Sequence, residues 1–164
     1  MKLLVFTEGT IIMHKSAKGL SREEIVKQSL EGKDPILFEW KEYIPISNAV
    51  NKLRIWKKHG ANIMYLTSRT MEHEIREIQE VLRKHRFPEG QIFFRKPEEQ
   101  YKDVVERLLP DVLIEDDCES IGGKKEMVYP YIKPDLQGRI KTIIVREFGG
   151  IDHLPDELSK LGEI

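Results

Sequence analysis

The chain opens on four apolar residues in a row, Leu3-Leu4-Val5-Phe6, and turns polar at once in Thr7-Glu8-Gly9-Thr10. An unbroken apolar run of this length predicts a strand buried on both faces, as in the middle of a parallel sheet. The same figure returns down the chain. Ile63-Met64-Tyr65-Leu66 runs into Thr67-Ser68-Arg69, and Asp111-Val112-Leu113-Ile114-Glu115 runs into Asp116-Asp117. Gln91-Ile92-Phe93-Phe94 and Thr142-Ile143-Ile144-Val145 predict two further strands.

Helical periodicity fills the gaps. Ser21 followed three residues later by Glu24 is a capping-box pattern and predicts a short helix from about Arg22 to Leu30, stopped by Gly32-Lys33-Asp34-Pro35. Ile36 to Ile46 is either a second small helix or a loop anchored by Phe38, Trp40 and Tyr43. Ser47 suits an N-cap, with Ala49, Val50, Leu53 and Trp56 as an apolar stripe and Gly60 as the stop. Longer helices are expected over about 71–85 (Ile75, Ile78 and Leu82 inward) and about 98–109 (Tyr101, Val104, Val105 and Leu108 inward, then Pro110). A last short helix is expected from about Pro155 to Leu161.

Strands alternating with helices imply an α/β fold, a Rossmann-like, mostly parallel sheet with helices on both faces and right-handed crossovers. The 164 residues fit one domain over 1–164. Residues 13–46 form an insertion of about thirty positions after the first strand, readable as a small cap over the sheet edge or as an ordinary helical layer. Composition narrows the setting rather than the fold. At 40% hydrophobic and 34% charged residues the chain reads as a globular protein, and a net charge of -1 gives no overall attraction to nucleic acid or anionic membrane. A single cysteine, Cys118, agrees with a reducing compartment. With no signal peptide and no apolar run long enough to span a bilayer, a cytoplasmic location is expected.

In a parallel sheet the carboxyl ends of the strands share one edge, so groups roughly sixty and fifty residues apart in sequence meet in one crevice. Gly9 suits a backbone that must bend sharply or come close to a ligand there. Glu8 with Asp116 and Asp117 offers hard oxygen ligands suited to Mg²⁺. Thr67 and Ser68 offer hydroxyl and amide donors to an anion, Arg69 a bidentate cation, and Lys102, at the start of a helix, a fixed positive charge. Taken singly, each has an ordinary use as a cap or a solvated helix residue. His14 and His153 read as polar loop residues or ligands, and Cys118 as a possible lining residue with nothing beside it to lower its pKa.

The order of these groups resembles the haloacid dehalogenase-like superfamily, most of whose members are Mg²⁺-dependent phosphohydrolases. Phe6-Thr7-Glu8-Gly9-Thr10 lies where that family has Asp-x-Asp-x-Thr. Leu66-Thr67-Ser68-Arg69 matches its strand ending in Thr or Ser, and Ile114-Glu115-Asp116-Asp117 its acidic pair. Lys102, with Lys96 as runner-up, matches its helix-starting lysine. The likeness spans about 2–121 and is nearest the nucleotidase and polynucleotide-phosphatase branches. The resemblance implies Mg²⁺ held by Glu8, Asp116 and Asp117, phosphate held by Thr67, Ser68, Arg69 and Lys102, and catalytic roles for Glu8 and Lys102. It also implies a defect. The family's attacking aspartate is Phe6 here, which has no nucleophilic atom and removes one Mg²⁺ ligand. Glu8 keeps the second carboxyl, a general acid and base, on a longer arm.

Three functions are therefore expected to compete. One is a degenerate member that binds a phosphorylated small molecule or nucleotide, with weakened Mg²⁺ binding and no aspartyl-phosphate chemistry. The second is an Mg²⁺-dependent phosphohydrolase in which water attacks phosphorus directly. The third is a partner-binding or structural protein using the aromatic insertion or the segment 147–153. The oligomeric state is not legible in the sequence.

Overall fold

The structure, a computed structural model, describes residues 1–32 and 38–164. The expected stop at Lys33-Asp34-Pro35 and the start of the Ile36 segment lie outside the described residues. In chain order the elements are β1 (Lys2–Phe6), β2 (Ile12–His14), α1 (Arg22–Glu31), β3 (Tyr43–Pro45), α2 (Ala49–Lys58), β4 (Asn62–Leu66), α3 (Glu72–Lys84), β5 (Gln91–Phe93), α4 (Tyr101–Leu108), β6 (Val112–Asp116), α5 (Pro134–Gln137), β7 (Lys141–Val145) and α6 (Leu158–Leu161).

Five strands make a wholly parallel sheet in the order β5-β4-β1-β6-β7, so β1 is central as its apolar run predicts. Alternate residues of each strand feed two cores. Leu3, Val5, Ile63, Tyr65, Val112 and Ile114 face one core, which is closed by Leu53 and Trp56 of α2 and Ile78 and Leu82 of α3. Leu4, Met64, Leu66 and Leu113 face the other, closed by Val104 and Val105 of α4 with Val128 and Ile132. Each such side chain, fully removed from water, contributes about 1.5–3 kcal/mol, and the sheet therefore holds its strand ends in a fixed relation. Among the described residues no helix is long and apolar enough to cross a membrane.

Local chemistry explains most boundaries. Around α1 the Ser21 amide donates to the Glu24 carboxylate at 2.7 Å and the Glu24 amide to the Ser21 hydroxyl at 3.3 Å, the expected capping box. A similar exchange between Gln100 and Asp103 starts α4 three residues later than the periodicity suggests. Ser47 is not the cap of α2. It has φ +47, and the turn is held instead from across the chain, the Asn48 amide donating to both Asp152 oxygens at 3.1 Å. The final helix is shorter than expected because the Leu154 and Pro155 carbonyls are taken by Lys52 Nζ (2.6 Å) and Trp56 Nε1 (2.9 Å). Within 36–46 the described residues include a 3₁₀ turn at Trp40–Glu42 followed by β3, which pairs antiparallel with β2.

Candidate functional site

The carboxyl ends of β1, β4, β6 and β7 lie along one edge, and the polar residues that follow them meet there. Two turns lock this edge. The Ile11 and Ile12 amides both donate to the Thr7 carbonyl at 3.0 Å, and the Phe148 amide donates to the Gly9 carbonyl at 2.7 Å. Gly9 has φ +78, and a Cβ there would sit 3.0 Å from Asp116 Oδ2 and 3.3 Å from Glu147 Cγ, so only glycine lets β1 turn this close to the acidic residues. The cavity above the edge has a volume of about 350 Å³, and Phe6, Glu8, Ser68, Arg69 and Asp116 line its floor. Its far wall comes from the segment after β1, including Met13, Trp40 and Tyr43.

On one side of the cavity stand three carboxylates. Oxygens of Asp116, Asp117 and Glu147 all lie within 4.8 Å of one another, the one such group of possible metal ligands among the described residues. Asp116 accepts from Thr10 Oγ1 at 2.7 Å and from the Cys118 amide at 3.0 Å. Glu147 accepts from the Ser120 amide at 2.6 Å and its hydroxyl at 2.7 Å, and the Glu147 amide donates to Asp117 at 3.0 Å. Burial pushes the Asp116 and Glu147 carboxyls above their ordinary range, against the pull of those hydrogen bonds. The neighbouring cation is Arg22, whose guanidinium lies 3.8 Å from Asp117, 2.5 Å from Glu119 and donates to the Glu147 carbonyl at 2.8 Å. Closely spaced, hard and partly desolvated oxygens of this kind fit a divalent cation such as Mg²⁺.

Glu147 was not among the residues expected at the site, although it follows β7 by two positions, where the strand-end rule that found the others would also look. Glu8, expected with Asp116 and Asp117, is not part of the trio. Its carboxylate turns to the other side of the cavity and is held by Thr67 and Ser68. Glu115 also has a use that the sequence does not show. Its buried carboxylate accepts the Val128 and Tyr129 amides at 2.7 and 2.9 Å, and burial raises its pKa to about 7.

The remaining expected residues fall in two places. Arg69 donates to Ser68 Oγ at 2.7 Å and lays its guanidinium 3.9 Å from the Trp40 ring centroid, a cation–π stack that ties the strand end to the 3₁₀ turn. Lys102 lines a neighbouring cavity of about 320 Å³ with Gln100, Lys125, Glu126 and Tyr131, and Tyr101 stands between the two cavities. Phe6 presents its ring to the floor of the first cavity and packs edge-on to Tyr101 at 5.7 Å. His153 is exposed, and His14 is buried with Nδ1 2.8 Å from Ser16 Oγ. Cys118 is half-buried, and burial raises its thiol pKa, which leaves it a poor nucleophile.

No protein-family model and no curated protein sequence matches the chain. Solved structures do. A chain of the Pnkp1/Rnl/Hen1 RNA repair complex superposes with a TM-score of 0.56 at 12% identity, over 88% of this chain and 43% of its own. The class C acid phosphatase from Bacillus anthracis, with tungstate bound, superposes with a TM-score of 0.59 at 14% identity, over 91% of this chain and 68% of its own. A second structure of that phosphatase matches over 99% of this chain at 12% identity. The chain thus spans under half the length of the RNA-repair chain it resembles. At these identities the likeness shows the fold alone, a mostly parallel five-stranded α/β sheet with helices, shared with these structures.

Proposed function

We propose that the chain binds a phosphorylated ligand, a small phosphate ester or a nucleotide, in the strand-end cavity and does so without phospho-aspartate chemistry. Phe6 carries this reading. It ends β1 on the cavity floor, between the carboxylate trio and the Thr67–Ser68 pair, where the resembling family has its attacking aspartate. A phenyl ring can neither attack phosphorus nor ligate a metal. What remains is suited to holding an oxyanion: the hydroxyls of Thr67 and Ser68, the Ser68 amide, and Arg69 beside them. The likeness to a phosphatase structure supports this class of ligand, and a lone, half-buried Cys118 is compatible with the cytoplasmic setting we assign.

A second reading rests on the carboxylate trio. A divalent cation held by Asp116, Asp117 and Glu147 would supply Lewis-acid activation of a water nucleophile. In that reading Glu8 would accept the water's proton and Arg69 would steady charge on the phosphoryl oxygens. Lys102 would act from the neighbouring cavity.

One experiment separates the two. Purified protein is assayed with Mg²⁺ on a panel of phosphate esters and nucleotides, beside Phe6→Asp and Asp117→Asn. The expected result is no turnover above background by the unmodified chain and measurable turnover by Phe6→Asp. Turnover by the unmodified chain that disappears in Asp117→Asn would replace the binding reading by the second one.

A further inference from the structure

Thr67 and Ser68, the residues best suited to grip a phosphate, already grip an anion, and it belongs to the chain itself. Glu8 Oε1 accepts from Thr67 Oγ1 at 2.6 Å. Its Oε2 accepts from the Ser68 amide at 3.0 Å and the Ser68 hydroxyl at 3.2 Å, and the Thr7 hydroxyl lies 2.8 Å away. Thr67 is fully buried, so its hydroxyl has little access to water and needs an acceptor, whereas the buried Thr7 hydroxyl also has the Leu66 carbonyl at 3.3 Å. The side chain that supplies it is only half-buried and lines the cavity.

We propose that Glu8 is a built-in competitor for the anion seat made by Thr67 and Ser68, so that a ligand enters only by displacing its carboxylate. The proposal rests on the binding reading above and deepens it. Reach is the reason that Glu8 can compete. An aspartate at this position would end one methylene short, whereas the glutamate spans from the turn after β1 to the turn after β4. Displacement selects by charge and shape. A phosphate monoester dianion brings two charges and three free oxygens to the donors that one carboxylate now holds, and it wins the exchange. A carboxylate ligand brings no more than Glu8 already does, and it loses to an intramolecular rival whose effective concentration is high. The seat therefore prefers tetrahedral dianions to carboxylates, and Glu8 sets that preference.

Inorganic phosphate is the probe, titrated calorimetrically into the full chain and into Glu8→Ala, Glu8→Asp, Thr67→Val and the Glu8→Ala/Thr67→Val double variant. Phosphate is expected to bind Glu8→Ala and Glu8→Asp about ten- to hundredfold more tightly than the unmodified chain, the weight of hydrogen bonds to a charged acceptor. The double variant should lose that gain. Glu8→Asp keeps the charge and shortens the arm, so it distinguishes a vacated seat from relief of repulsion. Tighter binding in Glu8→Ala but not in Glu8→Asp overturns the proposal in favour of simple repulsion. Equal affinity in the unmodified chain and both Glu8 variants, with Thr67→Val weaker, also overturns it while the binding reading stands. Absence of phosphate binding in every protein overturns both. Should Glu8→Ala fail to fold, Glu8→Ser, whose side chain is too short to reach Thr67 and Ser68, carries the same expectation.

Discussion

Glu115 is the penultimate residue of β6, and its side chain leaves the sheet to hold the backbone of Val128 and Tyr129. Val128 belongs to the second core, so one carboxylate ties the loop after β6 to the packing beneath the cavity. Replacing it by alanine leaves two amides without acceptors in a region with little water. We expect Glu115→Ala to lower stability by about 2–4 kcal/mol, and Glu115→Gln, which retains one acceptor oxygen, by less. Urea unfolding followed by fluorescence checks this, and equal losses in the two variants would show that the hydrogen bonds are not what matters. Thr10 plays the same part toward Asp116. Neither role is visible in the sequence, where Glu115 reads as the last residue of a buried strand and Thr10 as part of a turn. Both depend on a partner reached only through the fold, at a separation of 13 residues for Glu115 and 106 for Thr10.

Among the elements, the stretch from β2 to β3 was the least legible. Its strands are three residues each and pair only with one another, too short for alternation to be read. What fixes the stretch is Trp40. Its ring is buried, its Nε1 donates to Glu74 of α3 at 3.0 Å, it packs against Tyr43, and it carries the Arg69 guanidinium. Trp40 therefore joins the 3₁₀ turn, α3 and the loop after β4. Trp40→Ala is expected to cost about 3 kcal/mol, within the range for large core truncations. The loss should be local in character. Amide exchange should quicken in β2 and β3 while β1, β4 and β6 stay protected, and equal acceleration across all five would mean that the stretch is part of the global folding unit. The long helices behave oppositely. In α3 the inward residues Ile75, Ile78 and Leu82 recur at helical spacing and are buried, because a two-turn apolar stripe needs no distant partner to be recognised.

At the scale of the whole molecule, the carboxylate trio is assembled from the ends of two strands that are paired in the sheet, β6 and β7, with Arg22 of α1 approaching from outside. Nothing in any single segment balances the three charges, so a bound cation should stabilise the whole fold. Mg²⁺ at about a hundred times its dissociation constant is expected to add about 2.7 kcal/mol to the unfolding free energy, read as a rise in Tm, and Asp117→Asn or Glu147→Gln should abolish the rise. An unchanged Tm over a wide range of Mg²⁺ would remove the trio as a metal site. The sequence by itself determined the alternation of strands and helices, the parallel sheet and the edge on which polar groups would gather. These follow from periodicity and from the rule that parallel strands point their carboxyl ends the same way, both of which are properties of short stretches. Only the tertiary structure decided how the gathered groups divide. Glu8 is drawn to Thr67 and Ser68 rather than to Asp116 and Asp117, Glu147 joins the aspartates, and Lys102 lines the adjoining cavity. The physical reason is that side-chain partnership at a shared edge depends on angstrom differences in reach and direction. Those differences are set by how the turns after each strand pack on one another, not by the composition of any one turn.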